Sequence, residues 1–276
     1  MSYLSVSTWS LHRMLGPLRW TVWDTEQGRH ETQVQDQPQV HTLLELPAVA
    51  AERGYEAIEV CHFHFPDTSL AYLHQLRAAF QEAGVSFDTL LLDYGDLTSE
   101  EAARRTADLQ LMRDWIDIAS ECGAKQIRIV AGEAAPDNEQ AIRQSAELLK
   151  TLADYSATLG VRVVTENFKA LTSTAQSSEQ LLNLAGDQVG FITDFGNYKG
   201  DAVAEEIART TPRSVSIHAK ADFDEAGIPN EPLFVQYLEA TAAAKFDGAY
   251  VLIYDGPGDM WEGLERVRRI VEPFIN

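Results

Sequence analysis

The chain predicts a single (β/α)8 barrel, on three observations. Eight short runs, apolar on both faces, alternate with amphipathic stretches almost to the end of the sequence. Gly84, Gly123 and Gly160 each follow a helical stretch and precede a run, where a left-handed residue closes a helix. No Gly/Ser linker or shift of composition divides the 276 residues, a length that suits one barrel domain spanning 1–276.

Taken in order, the first expected strand is LSVST (4–8). Residues 10–41 then form a stretch too long for an ordinary βα loop, and RWTVWD and RHETQVQ are expected to pair as a hairpin across Gly28. On the active face of a barrel it would serve as a lid or rest on the rim, with Trp20 and Trp23 meeting substrate or a second subunit of a homodimer. The later strands are AIEV (57–60), VSFDTLLL (85–92), QIRIVA (126–131), VRVVTE (161–166), VGFITD (189–194), SVSIHA (214–219) and YVLIYD (250–255). Between them, apolar residues spaced three and four apart predict helices over Ser69–Ala83, Ser99–Cys122, Asn138–Leu159, Ser178–Ala185, Asp201–Thr210 and Glu231–Ala244. Trp261–Phe274 closes the chain, and Thr98-Ser99-Glu100-Glu101 supplies a cap and acidic first turn for the helix over Ser99–Cys122.

Composition narrows the functional classes. The formal charge is −20 and the isoelectric point near 4.6, so nucleic acid and anionic membrane surfaces are poor partners. Cys61 and Cys122, both in apolar settings, give no disulfide framework. The N-terminal MSYLSVSTW lacks the basic and apolar regions of a secretory signal, and no run has the length of a membrane span. The expectation is a cytoplasmic protein acting on a small molecule.

The chemistry-bearing residues stand at strand ends. VRVVTE ends at Glu166, VGFITD at Asp194, RSVSIH at His218 and AYVLIYD at Asp255, roughly 25–40 residues apart, about the length of a strand, a helix and two loops. A parallel barrel gathers such ends on one face. Carboxylates with one imidazole suit Mn, Mg, Co or Zn in a site with open positions for substrate oxygens. Such an ion polarises a carbonyl and acidifies the neighbouring C–H, and a flanking carboxylate or lysine moves the proton. Each residue also has a structural reading. Glu166 could cap a turn or pair with Lys169, Asp194 and Asp255 could belong to turns, and His218 could be a hydrogen-bonded core histidine.

VTEN, TDFGN and IHAK, in this strand order, resemble the xylose-isomerase-like TIM-barrel superfamily from about Leu43 onward. That superfamily includes sugar isomerases, ketose 3-epimerases, inosose dehydratases and metal-dependent apurinic endonucleases. The resemblance implies a metal held by a strand-5 Glu, a strand-6 Asp, a strand-7 His and a strand-8 Glu. The first three roles carry over onto Glu166, Asp194 and His218, with Asn167 and Lys220 as usual company. Members often have an imidazole where this chain has Asn197, and the strand-8 Glu aligns with Ile253. Either Asp255 reaches the ion from two residues further on, or the fourth ligand is missing. Because the strand-5 and strand-8 glutamates move the proton in ketose 3-epimerases, a standard 3-epimerase is disfavoured. An apurinic endonuclease is disfavoured further, by the charge and by the missing histidines.

Further side chains complete the candidate site. CHFHF places His62 and His64 on one face of a strand end, as ligands, substrate contacts or an acid/base pair near neutral pH. Asp93 and Glu133 follow the third and fourth strands. Arg128, Lys169 and Lys220 would favour an anionic sugar acid or sugar phosphate, unless each lysine neutralises a neighbouring carboxylate. Trp9, Asn167 and Asn197 are the remaining expected substrate contacts. No G-x-S-x-G elbow, Walker loop or G-x-G-x-x-G follows a strand, and DGPGD reads as a turn. The leading expectation is a metal-dependent isomerase or epimerase acting on a small sugar, sugar acid or polyol through an enediolate, with Glu166, Lys220, His62 and His64 as candidate proton carriers. A dehydratase on a keto-polyol and a non-catalytic carbohydrate-binding barrel are the alternatives.

Overall fold

The computed structural model describes residues 1–275. Among the described residues, eight parallel strands close into a barrel. They are β1 (Tyr3–Ser7), β4 (Ala57–Cys61), β5 (Ser86–Leu91), β6 (Gln126–Arg128), β7 (Arg162–Glu166), β8 (Gly190–Asp194), β9 (Ser214–Lys220) and β10 (Ala249–Ile253). Each pairs with the next in chain order, and β10 returns to β1. Between β1 and β4 the antiparallel hairpin β2 (Leu18–Asp24) and β3 (Arg29–Gln35) stands apart from the barrel sheet, joined through Gly28.

The surrounding helices are α1 (Leu46–Glu52), α2 (Leu70–Ala83), α3 (Ala102–Cys122), α4 (Glu139–Ala157), α5 (Ala175–Ala185), α6 (Val203–Thr210), α7 (Glu231–Ala243) and α8 (Met260–Val271). Their buried stripes follow the helical period, as with Leu73, Leu76 and Phe80 on α2. Gly84 and Gly123, at φ 67° and 81°, end α2 and α3 in the left-handed conformation.

Boundaries differ from the sequence expectation where local polar bonds win. The short helix α1 enters through Pro47, and its seven residues give too little periodicity to stand out. Helix α5 starts at Ala175 because the Thr174 side chain caps it. Helix α3 starts at Ala102 with no side-chain cap, since the Thr98 hydroxyl donates to Asp96 and accepts from the Glu133 and Ala134 amides instead. Strand β10 stops at Ile253, leaving Asp255 outside the sheet.

Candidate active site at the strand ends

Register decides which side chains share the barrel interior. Glu166 pairs with Ile192, Asp194 with His218, and Lys220 with Ile253, so alternate residues of β7 to β10 converge on one mouth. Glu166, Asp194 and His218 each offer a ligand atom, and these atoms lie within 4.8 Å of one another with all three residues buried. His218 Nδ1 is 3.5 Å from Glu166 Oε1 and 3.4 Å from Asp194 Oδ2.

The supporting contacts fix each member. Asn197 donates its side-chain amide to Glu166 Oε1 at 3.0 Å, while the Arg128 Nε lies 3.2 Å from Glu166 Oε2. Arg128 is buried, pairs with Asp93, and lies 4.6 Å over the Phe168 ring. Glu166 Oε2 nevertheless has no hydrogen-bond partner among the described residues. Asp194 Oδ1 accepts the Gly196 amide at 2.6 Å; a Cβ on Gly196 would lie 2.6 Å from the Lys220 side chain, so glycine lets Lys220 approach.

The second face of His218 meets a residue absent from the sequence expectation. Glu59, fully buried on β4, lies 2.6 Å from His218 Nε2. Burial disfavours a charged imidazole, but Glu59, Glu166 and Asp194 outweigh it and hold His218 well above its ordinary pKa. Glu59 was legible as the lone charge inside the apolar run AIEV, since a carboxylate buried there needs partners.

Around this cluster is a cavity of about 670 Å3 with two unlike walls. Arg128, Glu133, Phe168, Lys169, Asn197 and Lys220 rise from the β6 to β9 side. Trp9, Trp20, Trp23, Cys61, Phe63 and Ile253 come from the β10, β1 and β4 side and the hairpin. Trp20 and Phe63 approach with ring centroids 4.4 Å apart, and Trp9 meets Phe63 at 6.1 Å. The hairpin is tied to α3 by His30 Nε2, 2.7 Å from the buried Asp108, and by Trp23 Nε1 donating to Glu101.

Several expected residues stand elsewhere. His62 and His64 do not line this cavity: the chain turns into a short 3-10 segment there, which presents Phe63 and buries both imidazoles behind it. Burial lowers His62 to about 4 and His64 to about 3, so both are neutral near pH 7 and poor proton carriers. Asn167 is buried and spends its side chain on the Asp194 backbone, donating to the carbonyl at 2.8 Å and accepting the amide at 2.7 Å. It locks β7 to β8 and does not line the cavity. Asp255 pairs with Lys220 at 2.6 Å and is not among the converging ligands. Ile253 fills the wall next to Lys220, so this position of the cavity carries a hydrocarbon. Burial opposes the Lys220 charge, but Asp194, Asp255 and Glu166 more than compensate and raise its pKa, leaving a cation that donates. Lys169, half-exposed, has φ 68° and ψ 176°, a region nearly reserved for glycine that costs about 1–3 kcal/mol, and lies 3.7 Å from Glu133.

Comparison with known proteins agrees with this architecture. A family model described as "Xylose isomerase-like TIM barrel" matches residues 47–258. The structure of L-ribulose 3-epimerase superposes with a TM-score of 0.71 at 13% identity, covering 99% of this chain and 94% of that one. A probable 3-DHS dehydratase from Bacillus anthracis gives 0.68 at 14% identity, covering 98% and 99%. A xylose isomerase-like barrel from Mycobacterium smegmatis in complex with magnesium gives 0.68 at 15%, covering 99% and 96%. No curated protein matches the sequence significantly. Among the described residues no helix is long and apolar enough to cross a membrane.

Proposed function

Since the chain belongs to the xylose isomerase-like TIM barrel family, we propose that it is a divalent-metal-dependent isomerase or epimerase acting on a small carbohydrate. The observation that carries this reading is the convergence of Glu166, Asp194 and His218 within 4.8 Å at the mouth of the barrel. The donor set fits a divalent ion: two carboxylates and an imidazole, with Glu166 Oε2 buried and without a hydrogen bond among the described residues. Three protein ligands leave open positions, as a catalytic site requires. When bound, the ion supplies Lewis acidity beside a carbonyl oxygen.

The chain's own groups do the rest. Glu166 is oriented by Asn197 and Arg128, and its carboxylate accepts the proton taken from carbon next to the carbonyl. Lys220 Nζ donates to the oxygen on which charge develops, and Lys169 over Phe168 positions a substrate hydroxyl. Trp9, Trp20 and Phe63 cover the apolar C–H face of the sugar and exclude water. The paired state of each cation favours a neutral sugar or polyol over a phosphate. The two free, buried cysteines suit a cytoplasmic setting.

A specific observation favours a second reading, loss of water from a keto-polyol. Ile253 leaves the wall facing the charged side without a carboxylate, so proton transfer is confined to one face of the substrate. The test is solvent-deuterium exchange by NMR into ketohexoses and keto-polyols with Mn²⁺-loaded protein. Exchange without loss of water supports the isomerase, water loss supports the lyase, and Glu166→Gln should abolish either. Absence of exchange, with no thermal shift on adding Mn²⁺, would leave a carbohydrate-binding barrel.

A further inference from the structure

We propose that Glu59 is the positioning residue of the metal centre, holding Nε2–H of His218 so that Nδ1 alone faces Glu166 and Asp194. The inference rests on the reading that these three residues bind a divalent ion, and goes beyond it by fixing which imidazole nitrogen is the ligand. Glu59 stands on β4, on the far side of His218 from Glu166 and Asp194. Its carboxylate has 0% exposure, and among the described residues no lysine or arginine pairs with it.

Its hydrogen bonds form a built receptacle. Oε2 lies 2.6 Å from His218 Nε2, and Oε1 accepts from the Thr89 hydroxyl at 2.7 Å and the Ser216 hydroxyl at 3.3 Å. Ser216 stands two residues before His218 on β9, and Thr89 is the register partner of Glu59 on β5. A carboxylate can only accept here, so Nε2 must carry the proton. A bound ion would displace the Nδ1 proton, leaving a neutral imidazole with its proton on Nε2 and its lone pair on Nδ1, on the side of Glu166 and Asp194. A carboxylate hydrogen-bonded to the far nitrogen of a metal-binding histidine fixes its tautomer and orientation, and losing it typically lowers metal affinity 10–100-fold.

The experiment uses the whole chain, ¹⁵N-labelled at histidine and loaded with Zn²⁺, with Mn²⁺ affinity measured separately by calorimetry. Long-range ¹H–¹⁵N correlation should show His218 bound through Nδ1 with a proton retained on Nε2. Glu59→Gln should weaken Mn²⁺ binding about 10–100-fold, and its His218 Nε2–H signal should shift or disappear. A wild-type protein bound through Nε2, or a folded Glu59→Gln protein with unchanged affinity and an unchanged Nε2–H signal, overturns the inference while leaving the metal centre intact. A wild-type protein that binds neither Zn²⁺ nor Mn²⁺ overturns both. The tautomer measurement on the wild type stands by itself where Glu59→Gln does not fold.

Discussion

The two walls of the barrel mouth treat the same functional group in opposite ways. On the β6 to β9 side His218 is ringed by Glu166 and Asp194, and by Glu59 reaching it from β4, and its affinity for a proton rises. Behind the other wall His62 and His64 are buried among aromatic rings, and their pKa values fall to about 4 and about 3. All three imidazoles are buried, so burial alone predicts neither outcome. Three carboxylates within reach outweigh desolvation at His218, whereas at His62 the pull of Asp93 is opposed by Arg128 and rings such as Phe63 and Trp115 return nothing for the lost water. On the proposed function, the charged wall holds the cation and the aromatic wall takes the C–H face of the sugar.

Placing a charge on the wrong wall should break this division most visibly. Ile253→Glu puts a carboxylate beside Trp9 and Val251 in the apolar cluster, and the one cation at its register position, Lys220, is already paired with Asp255. In metal-free protein this should cost about 3–5 kcal/mol, a drop in Tm of roughly 10 °C. Added Mn²⁺ should recover much of the loss, because the new carboxylate stands next to Lys220 on the cavity wall and could serve as a fourth ligand. Scanning fluorimetry reads both effects. A metal-induced shift no larger than that of the wild type would mean that Ile253 lies out of reach of the ion.

The histidines sharpen the contrast through pH. The folded pKa of His62 lies near 4, below the ordinary 6.5 of the unfolded chain. Between those values the unfolded state binds the extra proton, so His62 removes stability as pH falls from 6.5 toward 4, by about 3 kcal/mol in full. Glutamine can still accept the Asp93 amide that His62 Nδ1 now accepts, but it does not titrate. Urea unfolding of the wild type and His62→Gln at pH 7 and pH 4.5 should show the mutant losing less stability on acidification. Equal losses would mean that His62 is not buried as described.

How much of this was readable beforehand follows the same division. Glu166, Asp194 and His218 were legible because strand periodicity and parallel topology force alternate residues near the strand ends to one face. Ile253 was legible only through the resemblance, which aligns the strand-8 Glu with it and leaves Asp255 two residues further on. The histidines of CHFHF were not, because period-two reasoning assumes an extended strand, and the chain has already turned at His62. Asn167 misled for a related reason: its neighbour Glu166 points inward, so its own side chain runs along the wall to the β8 backbone. Glu59 was visible as a charge in an apolar strand, but its partner lies 159 residues away and no local pattern joins them.

A smaller effect tests the aromatic wall directly. Trp20 packs on Phe63 and stands outside the cluster of Glu166, Asp194 and His218. Trp20→Ala should weaken sugar binding about 10-fold, the equivalent of roughly 1.4 kcal/mol, and leave Mn²⁺ affinity unchanged. Calorimetric titration of both ligands separates the walls: a parallel loss of metal affinity would show that hairpin and metal site are coupled.

The smallest effect belongs to Asp255, the alternative the sequence left open for the fourth ligand. Asp255 follows an apolar strand as the expected fourth ligand, yet β10 ends at Ile253 and the carboxylate stands 30% exposed against Lys220. A partly exposed pair of this kind contributes about 0–1 kcal/mol. Asp255→Asn should therefore leave Mn²⁺ affinity within about twofold of wild type, a change below roughly 0.5 kcal/mol. Because Asp255 helps to keep Lys220 charged, the mutation should lower the Lys220 pKa, and any loss of turnover should fall in the alkaline limb of the pH profile. A collapse of metal binding instead would return Asp255 to the ligand set and move the boundary between the two walls by one strand.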